Sequence, residues 1–396
     1  MLGMLGVGAV VAAMPEGASA AAPAFSKGAV IRTVLKDYAP EELAGSATLF
    51  HEHLSLADDF MTRWTGYAAA TRAANGAPAN AGAGGAGAGR GAAPAPSGSF
   101  FMQNLDLMTE ELTIARREGI GCIVDGGHPD MGRDINVLRQ LSMKSGMPIV
   151  AGAGFYTQPF YPKSIATMSE AEIVRALITQ VESDPVGAFG EIGSWDDMTA
   201  DERKVFRAIG KAHLATNLSI FTHTGIPGKA ALEQLDLLED AGVKPNRIAI
   251  GHLGNLVDAS VQVHKAVCRR GAFIGFDRQG GPGDAQQVPM VMALIDAGFE
   301  DNLMFSADIA SAAQMKRNGG QGYAKALTVF VPKLRAAGAT DEVLRTIMVD
   351  NPRRFLAFVP KKPRSAIAPS GPPKTDRRGG STPQAHSSSA MASPAL

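Results

Sequence analysis

Eight times along this chain a short apolar, β-branched run recurs, and amphipathic stretches fill most of the gaps between these runs. That alternation limits the fold more than any single motif does. The runs are ATLFHEH, GCIVDGG, PIVAGAGF, GAFGEI, SIFTHT, RIAIGHL, AFIGFD and LMFSADI. Each has the length and composition of a strand buried on both faces. Stretches such as LMTEELTIARREG, INVLRQLSMKSG, EAEIVRALITQV, ADERKVFRAIGKAHLATN, GKAALEQLDLLEDAG and VQVHKAVCRRG read as helices, and they commonly end at Gly or Asn, as helix C-termini do. Strand and helix alternating eight times predict a (β/α)8 TIM barrel over residues 28–359. An open doubly wound sheet is the alternative. It should carry a Gly-rich phosphate loop after its first strand, where this chain has HEHLSLADD.

Two segments are expected to stand outside the barrel. Residues 71–99 are nearly all Ala, Gly and Pro, without an acid or a large apolar side chain. They bury too little surface to offset their ordering entropy and read as a disordered insertion. Residues 360–396, rich in Pro, Ser, Lys and Arg, read as a disordered tail. Residues 1–27 open on MLGMLGVGAVVAAMPEGASA, which has the apolar stretch and Ala18-Ser19-Ala20 ending of an export signal but lacks its basic start. A signal would make the protein periplasmic or secreted, and a disordered start would leave it cytoplasmic.

Composition narrows the function classes. Basic and acidic residues balance at 38 each, so no nucleic-acid footprint and no charged membrane patch is expected. Two cysteines, Cys122 and Cys268, are too few for a disulfide framework or a cysteine zinc site, and read as buried thiols.

The chemistry gathers at the strand ends. His51 and His53 sit one residue apart, so on a strand they share a face, with Glu52 on the other. Two imidazoles on one face gain little by packing and a great deal by donating to one cation. Glu191, His223, His252 and Asp308 end the fourth, fifth, sixth and eighth runs. In a barrel, all of these converge on one mouth. Singly, each has a plainer role as a rim residue, a paired acid or a helix cap. As a set they are hard or borderline metal ligands.

Across roughly residues 28–359 the chain resembles the phosphotriesterase-like family of the amidohydrolase superfamily. The resemblance lies in HEHL (51–54), GRD (132–134), GEIG (190–193), VFRAIGKAHLATN (205–217), THTG (222–225), IGHLGN (250–255), GFDRQG (275–280), SADI (306–309), GGQGY (319–323) and NPRRFLAF (351–358). It implies a binuclear centre in which His51, His53 and Asp308 hold the more buried divalent ion and His223 with His252 the more exposed one. Glu191 stands where the family has either a carboxylated lysine or a glutamate bridge, so the glutamate branch is implied. Zinc is the expected metal, with manganese, iron and cobalt compatible with the same ligands. Two ions sharing a water lower its pKa toward neutrality, and Asp308 is the residue placed to accept its proton. The family usually passes that proton to an acid three residues beyond the sixth strand's histidine; here that position is Asn255, which cannot titrate.

One pair of substrate residues follows from the same resemblance, and the others from their place after strands. Asp277-Arg278 is similar to the Asp-Arg pair of the family's lactonase-type members, with the guanidinium steadying an oxyanion or a polar tail; a structural ion pair is the plainer reading. Tyr156 and Trp195 follow strands at the mouth and are read as pocket lining or packing. His128 also faces the mouth with nothing evident to pair with it, and His213 and His264 lie within helices as structural residues. The expected partner is a small ester or lactone, with phosphotriesters as a secondary activity and a second copy of the chain as the candidate protein partner. The rival readings are a metal-dependent phosphodiesterase or nuclease, which would want a basic channel, and a non-catalytic metal-binding barrel.

Overall fold

The computed structural model describes residues 23–74, 100–195, 197–225, 228–256 and 258–361. The expectations for residues 1–20, for 75–99 and for the tail from 362 onward lie outside them. An antiparallel hairpin, β1 (Ile31–Arg32) with β2 (Asp37–Tyr38), precedes the barrel. The barrel strands are β3 (Ala47–Glu52), β4 (Ile120–Asp125), β5 (Ile149–Ala153), β6 (Val186–Ser194), β7 (Ser219–Thr224), β8 (Ile248–Ile250), β9 (Phe273–Phe276) and β10 (Leu303–Phe305). They pair in parallel in chain order from β3 to β10. All eight strand runs read from the sequence are present, in a nearly closed (β/α)8 barrel.

The helices are α1 (Phe60–Ala74), α2 (Leu105–Arg117), α3 (Ile135–Ser145), α4 (Glu170–Ser183), α5 (Ala200–Thr216), α6 (Ala231–Asp240), α7 (Gln262–Arg269), α8 (Asp284–Ile295), α9 (Val331–Ala336), α10 (Asp341–Arg345) and α11 (Asn351–Leu356). Local chemistry fixes their ends. Ser169 with Glu172 and Thr199 with Glu202 form capping boxes at the starts of α4 and α5. Gly146 and Asn217 close α3 and α5 in the left-handed conformation. Residues 71–74, expected to belong to the insertion, are instead the last turn of α1, which runs on to Ala74. None of the described helices is long and apolar enough to cross a membrane.

Two layers of core hold the strands. Leu49, Ile123, Ile149, Phe189, Ile220, Ile248 and Ile274 face the helices, while Phe50, Val124, Val150, Ala188, Phe221, Ala249 and Met304 fill the barrel interior. Strict alternation would then send His51 outward, since Phe50 points in. The pairing register of β3 against β4 shifts between Leu49 and Glu52. Such an irregularity re-aims a side chain, and here it lets Phe50 and His51 both face inward. A matching shift in β6, between Phe189 and Ile192, delivers Glu191. Gly190 sits inside that shift at φ 144°, and a Cβ there would lie 2.4 Å from the Phe221 ring. Only glycine fits.

Side chains tie the seam between β10 and β3. The Ser306 hydroxyl accepts from His51 N–H at 3.1 Å and donates to Glu52 Oε1 at 2.7 Å. At the opposite end of the barrel, Arg247 donates to the carbonyls of Asn217 and Ala357 at 3.0 and 2.9 Å. Its cation thus sits on the C-terminal ends of α5 and α11, where the helix dipole favours positive charge.

Candidate active site

His51, His53, Glu191, His223, His252 and Asp308 meet in one cluster at the C-terminal mouth of the barrel. Glu191, 1% exposed, is its centre. Its Oε1 lies 3.1 Å from His53 Nε2. Its Oε2 lies 3.1 Å from His51 Nε2, 2.9 Å from His223 Nδ1 and 3.4 Å from His252 Nε2. Asp308 closes the other side, with Oδ1 3.4 Å from His53 Nε2. Two groupings in this cluster are tight enough for an ion: His51, His53 and Asp308, and His51, Glu191 and His252. His51 belongs to both. His223 adjoins the second, with Nδ1 2.8 Å from His252 Nε2.

Asp277 determines which ring nitrogens face inward, and its place corrects the sequence reading. It was expected to line the substrate pocket beside Arg278. Instead it is 1% exposed, beneath the cluster. Its Oδ2 lies 3.0 Å from His51 Nδ1 and its Oδ1 2.8 Å from His252 Nδ1. It also accepts from the His252 backbone N–H at 2.9 Å. A carboxylate can only accept, so both Nδ1 atoms carry a proton, which leaves both Nε2 atoms as the ones free to ligate. Both Nε2 atoms point at the Glu191 carboxylate, at 3.1 and 3.4 Å. A nitrogen aimed at an anion needs positive charge between them, either a proton or a metal ion. Burial lowers the His51 pKa, but Glu191 and Asp277 outweigh it and hold the imidazole well above its ordinary value. The donor set fits a divalent metal.

Charge in the cluster follows the same geometry. Burial lowers the His53 pKa, but hydrogen bonds to Asp308 and Glu191 outweigh it and push the imidazole up to about 10. Burial and the neighbouring His252 take His223 down to about 4. Burial acts to raise Glu191, yet the surrounding histidines hold it well below the usual carboxylate range. Asp308 is likewise held low against its burial, chiefly by Arg278.

Arg278 does reach the mouth, but it pairs with Asp308 rather than Asp277: its Nε donates to Asp308 Oδ2 at 2.8 Å. Tyr156 is nearly buried, with its hydroxyl 3.1 Å from His223 Nδ1. That hydroxyl accepts from Trp64 Nε1 at 3.0 Å. His128 is partnered, contrary to expectation. Its Nδ1 lies 2.6 Å from Asp130 and its Nε2 2.9 Å from the Glu191 carbonyl, so it braces the backbone of Glu191. His213 and His264 bond to the carbonyls of Leu218 and Leu253 and are structural, as read. Asn255 closes the turn after His252, with its Nδ2 buried and unpartnered.

Sequence reasoning missed α1 and what it brings. Trp64 packs on Trp195 at 6.1 Å between ring centroids, and Trp195 lies 6.2 Å from His223. The paired aromatics in RWTGY were the only signal, and they precede a stretch with no helical periodicity. These are the chain's two tryptophans, so adding a divalent metal to chelated protein should change its intrinsic emission. Unchanged emission, with metal uptake proven by dialysis, would contradict this placement.

A parallel eight-stranded barrel with a buried histidine–carboxylate centre at the strand ends defines a class of hydrolases. The chain belongs to the phosphotriesterase family, whose model matches residues 32–356. An N-acetyltaurine hydrolase from Xenopus tropicalis is 26% identical over 83% of this chain and 98% of its own length. The phosphotriesterase homology protein of Escherichia coli K12 is 30% identical, over 65% of this chain and 93% of its own. A crystal structure of the E. coli phosphotriesterase homology protein, with phosphate in its active site, superposes with a TM-score of 0.66 at 26% identity, covering 78% of this chain and 98% of that one.

Proposed function

We propose that this chain is a metal-dependent hydrolase holding two divalent ions, zinc first among them, and that it opens a small carboxylic ester or lactone. The observation that carries this reading is Asp277, which holds both Nδ1 atoms and so turns Nε2 of His51 and of His252 toward one carboxylate. His51, His53 and Asp308 would hold one ion and His223 with His252 the other, with Glu191 offering one oxygen to each side. Divalent ions bound there would lower the pKa of water toward neutrality and polarise a carbonyl oxygen.

The remaining work falls to the chain itself. Asp308 turns Oδ1 to the cluster as the oxygen that would ligate and keeps Oδ2 on Arg278, so its carboxylate is the group placed to take a proton from attacking water. With Asn255 in place of an acid, that proton would leave to solvent. Arg278, partly exposed at the mouth, would steady an oxyanion or an anionic tail. Tyr156, Trp64 and Trp195 form an aromatic wall beside His223 and would exclude water from that side.

A second reading has one observation in its favour: relatives named N-acetyltaurine hydrolases match over 98% of their length. Attack on an acyl carbon serves an amide as well as an ester, and Arg278 suits an anionic tail. A panel of lactones, aryl esters, phosphotriesters and N-acetylated amines with sulfonate or carboxylate tails separates these readings. Turnover of esters or lactones is expected, and Arg278→Met should raise KM most for substrates with an anionic tail. Metal-replete protein that turns over none of them would favour a non-catalytic binding barrel.

A further inference from the structure

The acid between the two histidines of HEH has no place in the ligand set, yet it is fully buried. Glu52 points away from the cluster, across the seam to the chain just after β10. Its Oε1 accepts from Ser306 Oγ at 2.7 Å and from Ala307 N–H at 2.6 Å. Its Oε2 accepts from Ile309 N–H at 3.1 Å. These contacts bracket Asp308 on both sides. Asp308 is also one of four non-glycine residues with positive φ among the described residues, at 45°. A side chain in that left-handed region stays there only where its surroundings hold it.

We propose that Glu52 is a positioning residue: it grips the two amides flanking Asp308, holds that residue in its left-handed conformation, and so aims the carboxylate at His53. Three features support this role. All three partners are donors, which suits a carboxylate and leaves an amide side chain with a donor facing a donor. Ser306 has its lone pair taken by His51 N–H, so its own hydrogen is committed to Glu52. The same chain of bonds ties His51 to the Asp308 loop, so the ligands on β3 and those after β10 are set as one unit. The site repeats the device at His252, whose φ is 60° and whose backbone N–H and Nδ1 are both held by Asp277.

This inference rests on the reading of Asp308 as a metal ligand, and its test keeps the two apart. Cobalt(II) would be bound to chelated wild type, Glu52→Gln, Asp308→Ala and the double variant. Affinity would be measured by chelator competition and ligand geometry by the visible spectrum. Glu52→Gln should weaken cobalt by about 10- to 100-fold, as loss of such supporting partners does, and should alter the spectrum. Adding Glu52→Gln to Asp308→Ala should then change affinity little, because the ligand it acts through has gone. An equal loss on both backgrounds, or an unchanged spectrum with only a lower melting temperature, would overturn the positioning role. Wild type that binds no cobalt would instead overturn the metal-site reading itself. Should Glu52→Gln fail to fold, Ser306→Ala removes one donor and leaves both amide contacts. It should give a smaller loss in the same direction, and no loss of affinity would count against the proposal.

Discussion

Glu191→Gln should strip the centre of metal and stop turnover while the barrel stays folded. Glutamine keeps the shape of the side chain but not its charge, and its amide nitrogen cannot ligate. In the native cluster both carboxylate oxygens are in use, one toward His53 and the other toward His51, His223 and His252. Loss of a residue that only supports a metal ligand costs about 10- to 100-fold in affinity, and here the lost group is itself a charged ligand. The loss of metal affinity should therefore exceed about a hundredfold. Metal analysis after gel filtration, with circular dichroism as the folding control, reads this directly. Normal metal content and normal rates would make Glu191 a structural acid.

Asp277→Asn should be nearly as damaging, although Asp277 is placed to touch neither substrate nor metal. An asparagine offers one acceptor oxygen and one donor NH2 where two imidazole N–H groups now need acceptors. One of the two histidines would have to move its proton to Nε2, and a protonated nitrogen cannot ligate. Loss of such an orienting partner costs about 10- to 100-fold in metal affinity. Equilibrium dialysis against zinc measures it, and excess metal should recover part of the activity. An asparagine variant with native affinity would show that the tautomers are fixed by something other than Asp277.

Asp277 also marks where the sequence stops being legible. Strand runs are visible because burial on both faces writes a continuous apolar stretch, and barrel topology then puts every strand end at one mouth. That reasoning places His51, His53, Glu191, His223, His252 and Asp308 without knowledge of any contact. Contacts across the barrel leave no such trace. Asp277 and Arg278 are neighbours in sequence, yet one turns beneath the cluster to His51 and His252 while the other reaches the mouth and Asp308. Glu52 looks like the idle residue of an alternating strand until the seam to Ser306 is seen. The register shifts at Leu49–Glu52 and Phe189–Ile192 are equally silent, because a bulge changes a side chain's direction and not its identity. His128 seemed unpaired because one of its partners is a main-chain carbonyl 63 residues away. Helix α1 was hidden by the Ala- and Gly-rich composition into which it runs.

Metal content measured together with hydrolysis on one preparation tests the centre most directly. Purified protein should hold close to two divalent ions per chain. Exhaustive chelation should abolish ester or lactone hydrolysis, and added zinc, manganese or cobalt should restore it in step with occupancy. His51→Ala, which removes a ligand of one ion and a neighbour of the other's ligands, should lower occupancy and rate together. Full activity in thoroughly chelated protein shown to contain no metal would contradict the two-ion centre.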